Sequence, residues 1–121
     1  MSKEIFVFGS NLAGIHGAGS ALEARRKHGA QIGCGRGRMY DSYAIPTKDK
    51  HLFTLAISEI AFYVQEFIQY ARDNPDLHFR IVAIGCGLAG YTPAQIGPLF
   101  RDAPENCILP DEFINFRRIV R

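Results

Sequence analysis

Tryptophan is absent, and cysteine is scarce, with only Cys34, Cys86 and Cys107 in 121 residues. An odd count with no short C-x-x-C spacing excludes a disulfide framework and a cysteine zinc site, so no metal is expected. No apolar run approaches the roughly 18 residues that a membrane span needs. The opening MSKEIFVFG lacks the long apolar stretch of a secretory signal. The expectation is a cytosolic, reduced protein with no membrane partner. Charge of one sign is also missing. A net charge of +2 is too small to argue for a nucleic-acid partner. The small excess gathers in Arg25, Arg26 and Lys27 and in Arg36 and Arg38. These read either as a solvated face or as groups facing an anionic ligand.

Apolar residues are plentiful: 47% of the chain, with nine Phe and five Tyr, marks a globular protein rather than a disordered one. The length suits one domain over residues 1–121. Ile5 to Phe8 is a short run apolar on both faces, the pattern of a buried strand ended by Gly9. Gly19 to His28 favours helix, with Gly29 as its stop. Ile32 to Arg38 holds three glycines in seven residues and reads as loop. Ser42 to Ile45 is a strand closed by Pro46. Leu55 to Arg72 carries Ile60, Val64, Phe67, Ile68 and Ala71 near one helical face, and Asn74-Pro75-Asp76 ends it. Phe79 to Ile84 is a further strand. Thr92 is an N-cap with Pro93 at the first helical position, and that helix runs to about Phe100. Cys107 to Leu109 is a last strand, and Pro110 to Phe116 a terminal helix. Phe6, Phe8, Phe62, Phe67 and Phe79 read as core. Strands alternate with helices, which predicts an α/β fold with a three-layer α/β/α arrangement.

Two loops carry the chemistry. GSNLAGIHGAG spans Gly9 to Gly19 and GCGLAGY spans Gly85 to Tyr91. Each follows an apolar strand and precedes a helix, which puts both at the carboxyl ends of strands, where open α/β sheets bind ligands. Glycine lets main chain approach a ligand closely. Free amides at a helix start carry partial positive charge and suit phosphate. Neither loop is followed by Gly-Lys-Ser/Thr, so neither is a P-loop. The spacing of Gly14, Gly17 and Gly19 does not fit the dinucleotide fingerprint G-x-G-x-x-G. The expected ligand is a small anionic nucleotide clamped between the loops.

GSNLAGIHGAGSALEARRKHG and IVAIGCGLAGYTPAQIGPLF resemble, in order and spacing, the two signatures of the macro-domain family. The middle segment YAIPTKD (Tyr43 to Asp49) and the run Ile84 to Leu88 are similar to those of the branch that removes terminal ADP-ribose from proteins. The likeness extends to small phage-associated and bacterial proteins of the macro-like group and covers Ile5 to Phe100. It implies a macro-domain-like mixed sheet and an ADP-ribose-type ligand, free or carried on an ADP-ribosylated protein, with no cofactor. Gly9 and Ser10 lead into the site. Asn11 matches the residue near the distal ribose, and Gly17, Ala18 and Gly19 match the loop beside the diphosphate. Gly85, Cys86, Gly87, Leu88, Ala89 and Gly90 match the second phosphate loop, and Tyr91 the aromatic that covers the ribose. Lys48 matches the lysine that attacks the anomeric carbon in the glycohydrolase branch. Two departures stand out. The branch has an acid directly after its Gly-Leu, where this chain has Ala89. Adenine is often held by an early Asp, where this chain offers only Glu4.

Several roles have two readings. Lys48 is either a nucleophile or a protonated contact to phosphate. Asn11 either meets the ligand or braces its own turn. His16 is an acid or base, a ligand contact, or a loop residue. Cys86 is a small packing residue or a thiolate. With Lys48, Asn11 or His16 at work, the protein is a glycohydrolase or a phosphatase acting on ADP-ribose-1″-phosphate. Without them it is a binder. A Rossmann-like nucleotide binder with no preference for ADP-ribose is the remaining alternative.

Overall fold

The computed structural model describes residues 3–118. In chain order its elements are β1 (Glu4–Asn11), α1 (Gly19–Lys27), β2 (Gly37–Met39), β3 (Ser42–Lys48), α2 (Ile57–Asp73), β4 (His78–Ile81), α3 (Pro93–Ile96), β5 (Cys107–Ile108) and α4 (Asp111–Ile114). A 3₁₀ turn over Gly97–Phe100 follows α3. Together they make a mixed α/β domain around a sheet of order β2-β3-β1-β4-β5.

The sheet is organised by β1. Its alternate residues enter two different cores. Ile5 and Val7 pack with Ile60, Val64 and Phe67 of α2, and Phe6 and Phe8 pack with Ala24 of α1. A strand covered on both faces needs the unbroken apolar run that Ile5 to Phe8 provides. β3 and β4 flank β1, both parallel to it. β2 joins β3 antiparallel, and β5 joins β4 parallel. α2 buries Ile60, Val64, Phe67, Ile68 and Ala71, the spacing of a single helical stripe. Phe62 lies off that stripe. It is 59% exposed rather than core, with the Arg36 guanidinium over its ring.

Several elements depart from the sequence reading. β3 runs through Pro46 to Lys48 instead of stopping at it. Its pairing with β2 ends at Ala44, so proline falls where no antiparallel neighbour requires an amide. β2 begins within the end of the stretch read as loop, Ile32 to Arg38, because pairing with β3 orders Gly37 to Met39 despite weak local propensity. β4 stops at Ile81, not Ile84. Val82 still donates to Val7 O, but the Ile84 amide turns back onto Val82 O at 2.7 Å, a tight γ-type turn. The helix expected to reach Phe100 is one turn of α-helix continued as 3₁₀. It starts at Thr92, whose amide donates to Gln95 Oε1 at 2.9 Å, as half of a capping box. The terminal helix is also short, covering Asp111–Ile114. No helix among the described residues is long and apolar enough to cross a membrane.

The chain crosses from β1 to β3 on one side and from β3 to β4 on the other. The loop after β1 therefore leads to α1 on one face, while the loop after β4 packs onto the α2 face through Ile84 and Ile96. Adjacent strands whose loops diverge in this way open a crevice at their carboxyl ends. Its walls are fixed by main chain packed against main chain. A Cβ on Gly35 would stand 1.8 Å from the Asn11 carbonyl oxygen, and one on Gly14 would stand 2.4 Å from Cys34 N. Gly35→Ala is expected to cost about 2–3 kcal/mol and lower Tm by roughly 10 °C. Gly87→Ala, with nothing within 4 Å of its Cβ, should cost less than about 0.5 kcal/mol. Thermal unfolding of the two variants beside the parent protein checks both figures.

Candidate functional site

The crevice is a cavity of about 490 Å³, a size suited to a nucleotide-like ligand. Gly9, Ser10 and Asn11 at the end of β1 form its floor with Val82 to Gly85. One wall is Gly17, Ala18 and the start of α1. The other is Gly87, Leu88 and Ala89. Thr47, Lys48 and Leu52 close the β3 side. Both glycine loops thus meet in one cavity.

The first loop is held open by its own asparagine. Asn11 Nδ2 donates to Ile15 O at 2.8 Å, and the Ile15 amide donates to Asn11 Oδ1 at 3.0 Å. Behind it, Gly33 N donates to Gly14 O, and Ser10 Oγ donates to Gly35 O. The loop leaves as extended chain at Ala18 and enters α1 with no side-chain cap and no acid in the first turn. Among the described residues, the amides of Gly17, Ala18, Gly19, Ser20 and Ala21 donate to no protein acceptor. These are the groups that a helix start leaves over.

The second loop turns on Gly85 and Gly90, both at positive φ (72° and 89°). Tyr91 N closes it onto Gly85 O, and Gly90 N onto Gly87 O. Thr54 Oγ1 pins it by donating to Ala89 O at 3.0 Å. The amides of Gly87, Leu88 and Ala89 again donate to nothing among the described residues. Two sets of unengaged amides therefore lie on opposite walls.

Lys48 is the one charged side chain among the lining residues. It sits opposite Asn11 in the sheet register and makes no ion pair among the described residues. Asp49 does not serve it. Its Oδ1 accepts the amides of His51 and Phe53 and closes the following turn. Among the described residues, no carboxylate lines the cavity. Glu4 stands at the opposite end of β1 and pairs with Arg80 at 2.8 Å. No group of His, Cys, Asp and Glu able to hold a metal occurs among the described residues.

Several candidate residues lie outside the cavity. His16 is 1% exposed and packs edge-on against Phe8. Its Nε2 is 2.9 Å from Gln31 O and 3.0 Å from Cys34 O. Two carbonyls require that nitrogen to carry the proton, so His16 ties the first loop to the stretch from Gln31 to Cys34 and is not among the residues lining the cleft. The Tyr91 hydroxyl donates to Leu55 O at 2.6 Å and its ring packs on the larger core, so it does not cover the cavity. Cys86 also packs on that core, and Gly90 contributes a turn, not a wall. The basic residues are elsewhere too. Arg25, Arg26 and Lys27 occupy the last turn of α1, where they complement the helix dipole. Arg36 pairs with Glu66, whose carboxyl it holds below its usual range, and Arg38 reaches Tyr40 O and Tyr70 Oη. Sequence reasoning missed Ser20 and Ala21, which follow from the helix start. It also missed Ile15, Thr47 and Leu52, for which no local signal existed.

Burial raises the pKa of the Cys86 thiol, with Glu112 adding to the shift. Burial pushes Cys107 up to about 12 against an opposing effect of Arg117. Both remain thiols at neutral pH, and the thiolate is the reactive form. Iodoacetamide at pH 7.5, followed by mass spectrometry, should alkylate both many-fold more slowly in the folded protein than in urea. Asn11→Ala removes two loop hydrogen bonds and is expected to cost about 1–3 kcal/mol, read by denaturant unfolding. No protein-family model, curated protein or solved structure matches this chain.

Proposed function

We propose that the cleft binds a nucleotide diphosphate of the ADP-ribose type, as a macro-domain-like fold would. Main-chain amides of both loops would hold the phosphates, and Lys48 would balance their charge. One observation carries this reading. Two groups of undonated amides belong to residues that line a single cavity, where lysine is the only charged lining residue among those described. Such amides at the start of a helix form an anion site by geometry and dipole together. Among the described residues no carboxylate lines the cleft, so none of them opposes phosphate by repulsion.

Hydrolysis is the second reading, and Lys48 in the cleft favours it. A lysine nucleophile also needs proton transfer to the leaving group. Ala89 stands where the glycohydrolase branch has its acid, and Asp49 is committed to its own turn. A phosphatase resting on His16 or Asn11 has less support, because both side chains are spent on holding the loop. Binding is therefore the function put forward, with the ligand free or attached to a protein.

Calorimetry with ADP-ribose, ADP, NAD and AMP tests it. ADP-ribose and ADP should bind, and AMP should bind more weakly. Lys48→Ala should weaken ADP-ribose about tenfold, or roughly 1.4 kcal/mol, while Lys48→Arg should retain most of the affinity. No heat from any of the four at millimolar concentration sinks the proposal. Release of ADP-ribose from a modified protein, abolished by Lys48→Arg as well as Lys48→Ala, would turn the binder into an enzyme.

A further inference from the structure

Leu52 holds its backbone where leucine is uncomfortable. Its φ is 69°, in the left-handed region where Cβ crowds a carbonyl oxygen and where glycine or asparagine is the easier choice. Among the described residues, only Tyr40 shares this feature without being glycine. Tyr40 stands at the corner between β2 and β3, and its side chain packs beside Gly29, so the fold uses it. Leu52 joins neither apolar core and is 46% exposed.

The turn that carries Leu52 is closely tied. Asp49 N donates to Phe53 O at 2.8 Å, and Leu52 N donates to Asp49 O at 3.1 Å. Asp49 Oδ1 accepts the amides of His51 and Phe53. On either side of the turn Lys48 and Thr54 bridge antiparallel. Thr54 Oγ1 then reaches Ala89 O on the second glycine loop. These bonds use main chain and the side chains of Asp49 and Thr54. None uses the leucine side chain, so glycine or asparagine at this position would keep them all and relieve the backbone.

Strain of this kind persists where the surroundings over-determine it, and it gathers at ligand sites. Leu52 lines the cavity together with Lys48. We infer that Leu52 is a specificity-determining residue of the cleft. Its side chain packs on the uncharged sugar-and-base portion of a nucleotide whose phosphates the amides hold, and so separates nucleotides from inorganic polyphosphate. The inference rests on the diphosphate reading and adds to it the residue that sorts the ligands. On that reading the amides and Lys48 answer to phosphate, which pyrophosphate also offers. An aliphatic group gains affinity only from a ligand with apolar surface to meet it, and losing such a contact weakens binding about tenfold.

Calorimetry of the parent protein, Leu52→Met and Leu52→Asn with ADP-ribose and with inorganic pyrophosphate tests it, with thermal unfolding of all three. Methionine keeps the apolar bulk and the strained backbone. Asparagine accepts the left-handed backbone and gives up the apolar bulk. Leu52→Asn should bind ADP-ribose about tenfold more weakly, bind pyrophosphate as the parent does, and melt no lower than the parent. Leu52→Met should bind ADP-ribose nearly as the parent does. Unchanged ADP-ribose affinity in Leu52→Asn overturns the inference and leaves the diphosphate reading standing. Equal weakening of pyrophosphate also overturns it, since Leu52 would then shape the phosphate site. So does a Leu52→Asn protein that melts more than about 5 °C below the parent, because the side chain would then serve the fold. If the parent protein binds neither ligand, the diphosphate reading falls and takes this inference with it.

Discussion

The carbonyl of Asn11 is the point on which the cleft turns. It accepts the Gly14 amide, and it lies so close to Gly35 that no side chain fits there. The Asn11 side chain meanwhile spans the loop to Ile15. These contacts fix where β1 ends and how the chain leaves it. Once that exit is set, Ala18 runs extended into α1, and the amides of Gly17 and Ala18 are left unspent. The buried His16, held between Gln31 O and Cys34 O, keeps the second layer of loop in place behind. The first wall is thus positioned by a core that the ligand never touches.

The opposite wall is set by different means. Gly85 and Gly90 supply the left-handed turns, Tyr91 anchors one end through Leu55 O, and Thr54 ties the tip. The anchors come from the chain between β3 and α2, far away in sequence. The second wall therefore depends on β3 continuing through Pro46 to bring Thr47, Lys48 and then Thr54 alongside. The sheet's change of direction at β1 sets the two walls face to face.

Elements governed by local periodicity were legible in the sequence. The apolar run Ile5 to Phe8, the stripe of α2, the stop at Gly29 and the start at Thr92 all follow from rules that act within a few residues. Features set by distant partners were not. β2 exists because β3 lies beside it, and Pro46 is tolerated because β2 has already ended. Phe62 was read as core, yet it lies on the face of α2 opposite the buried stripe. The two glycine loops could be placed at strand ends, and so could the meeting of Asn11, Lys48 and Gly87. The direction of the His16, Tyr91 and Cys86 side chains could not, because neighbours in the loop share a backbone but not an environment. Leu52, with its positive φ of 69°, reaches the cavity from a turn that carries no ligand signature at all.

A cavity walled by peptide groups has an unusual relation to its own genes. Replacing most of its residues with alanine would delete nothing that touches an anion, since every amide survives the exchange. An alanine scan across Gly17, Ser20, Gly87 and Leu88 would look nearly silent, and the region would pass for dispensable linker. Proline would expose it, because proline takes away the one atom that matters there. Selection on such a surface acts on backbone shape, and side-chain identity is free to wander.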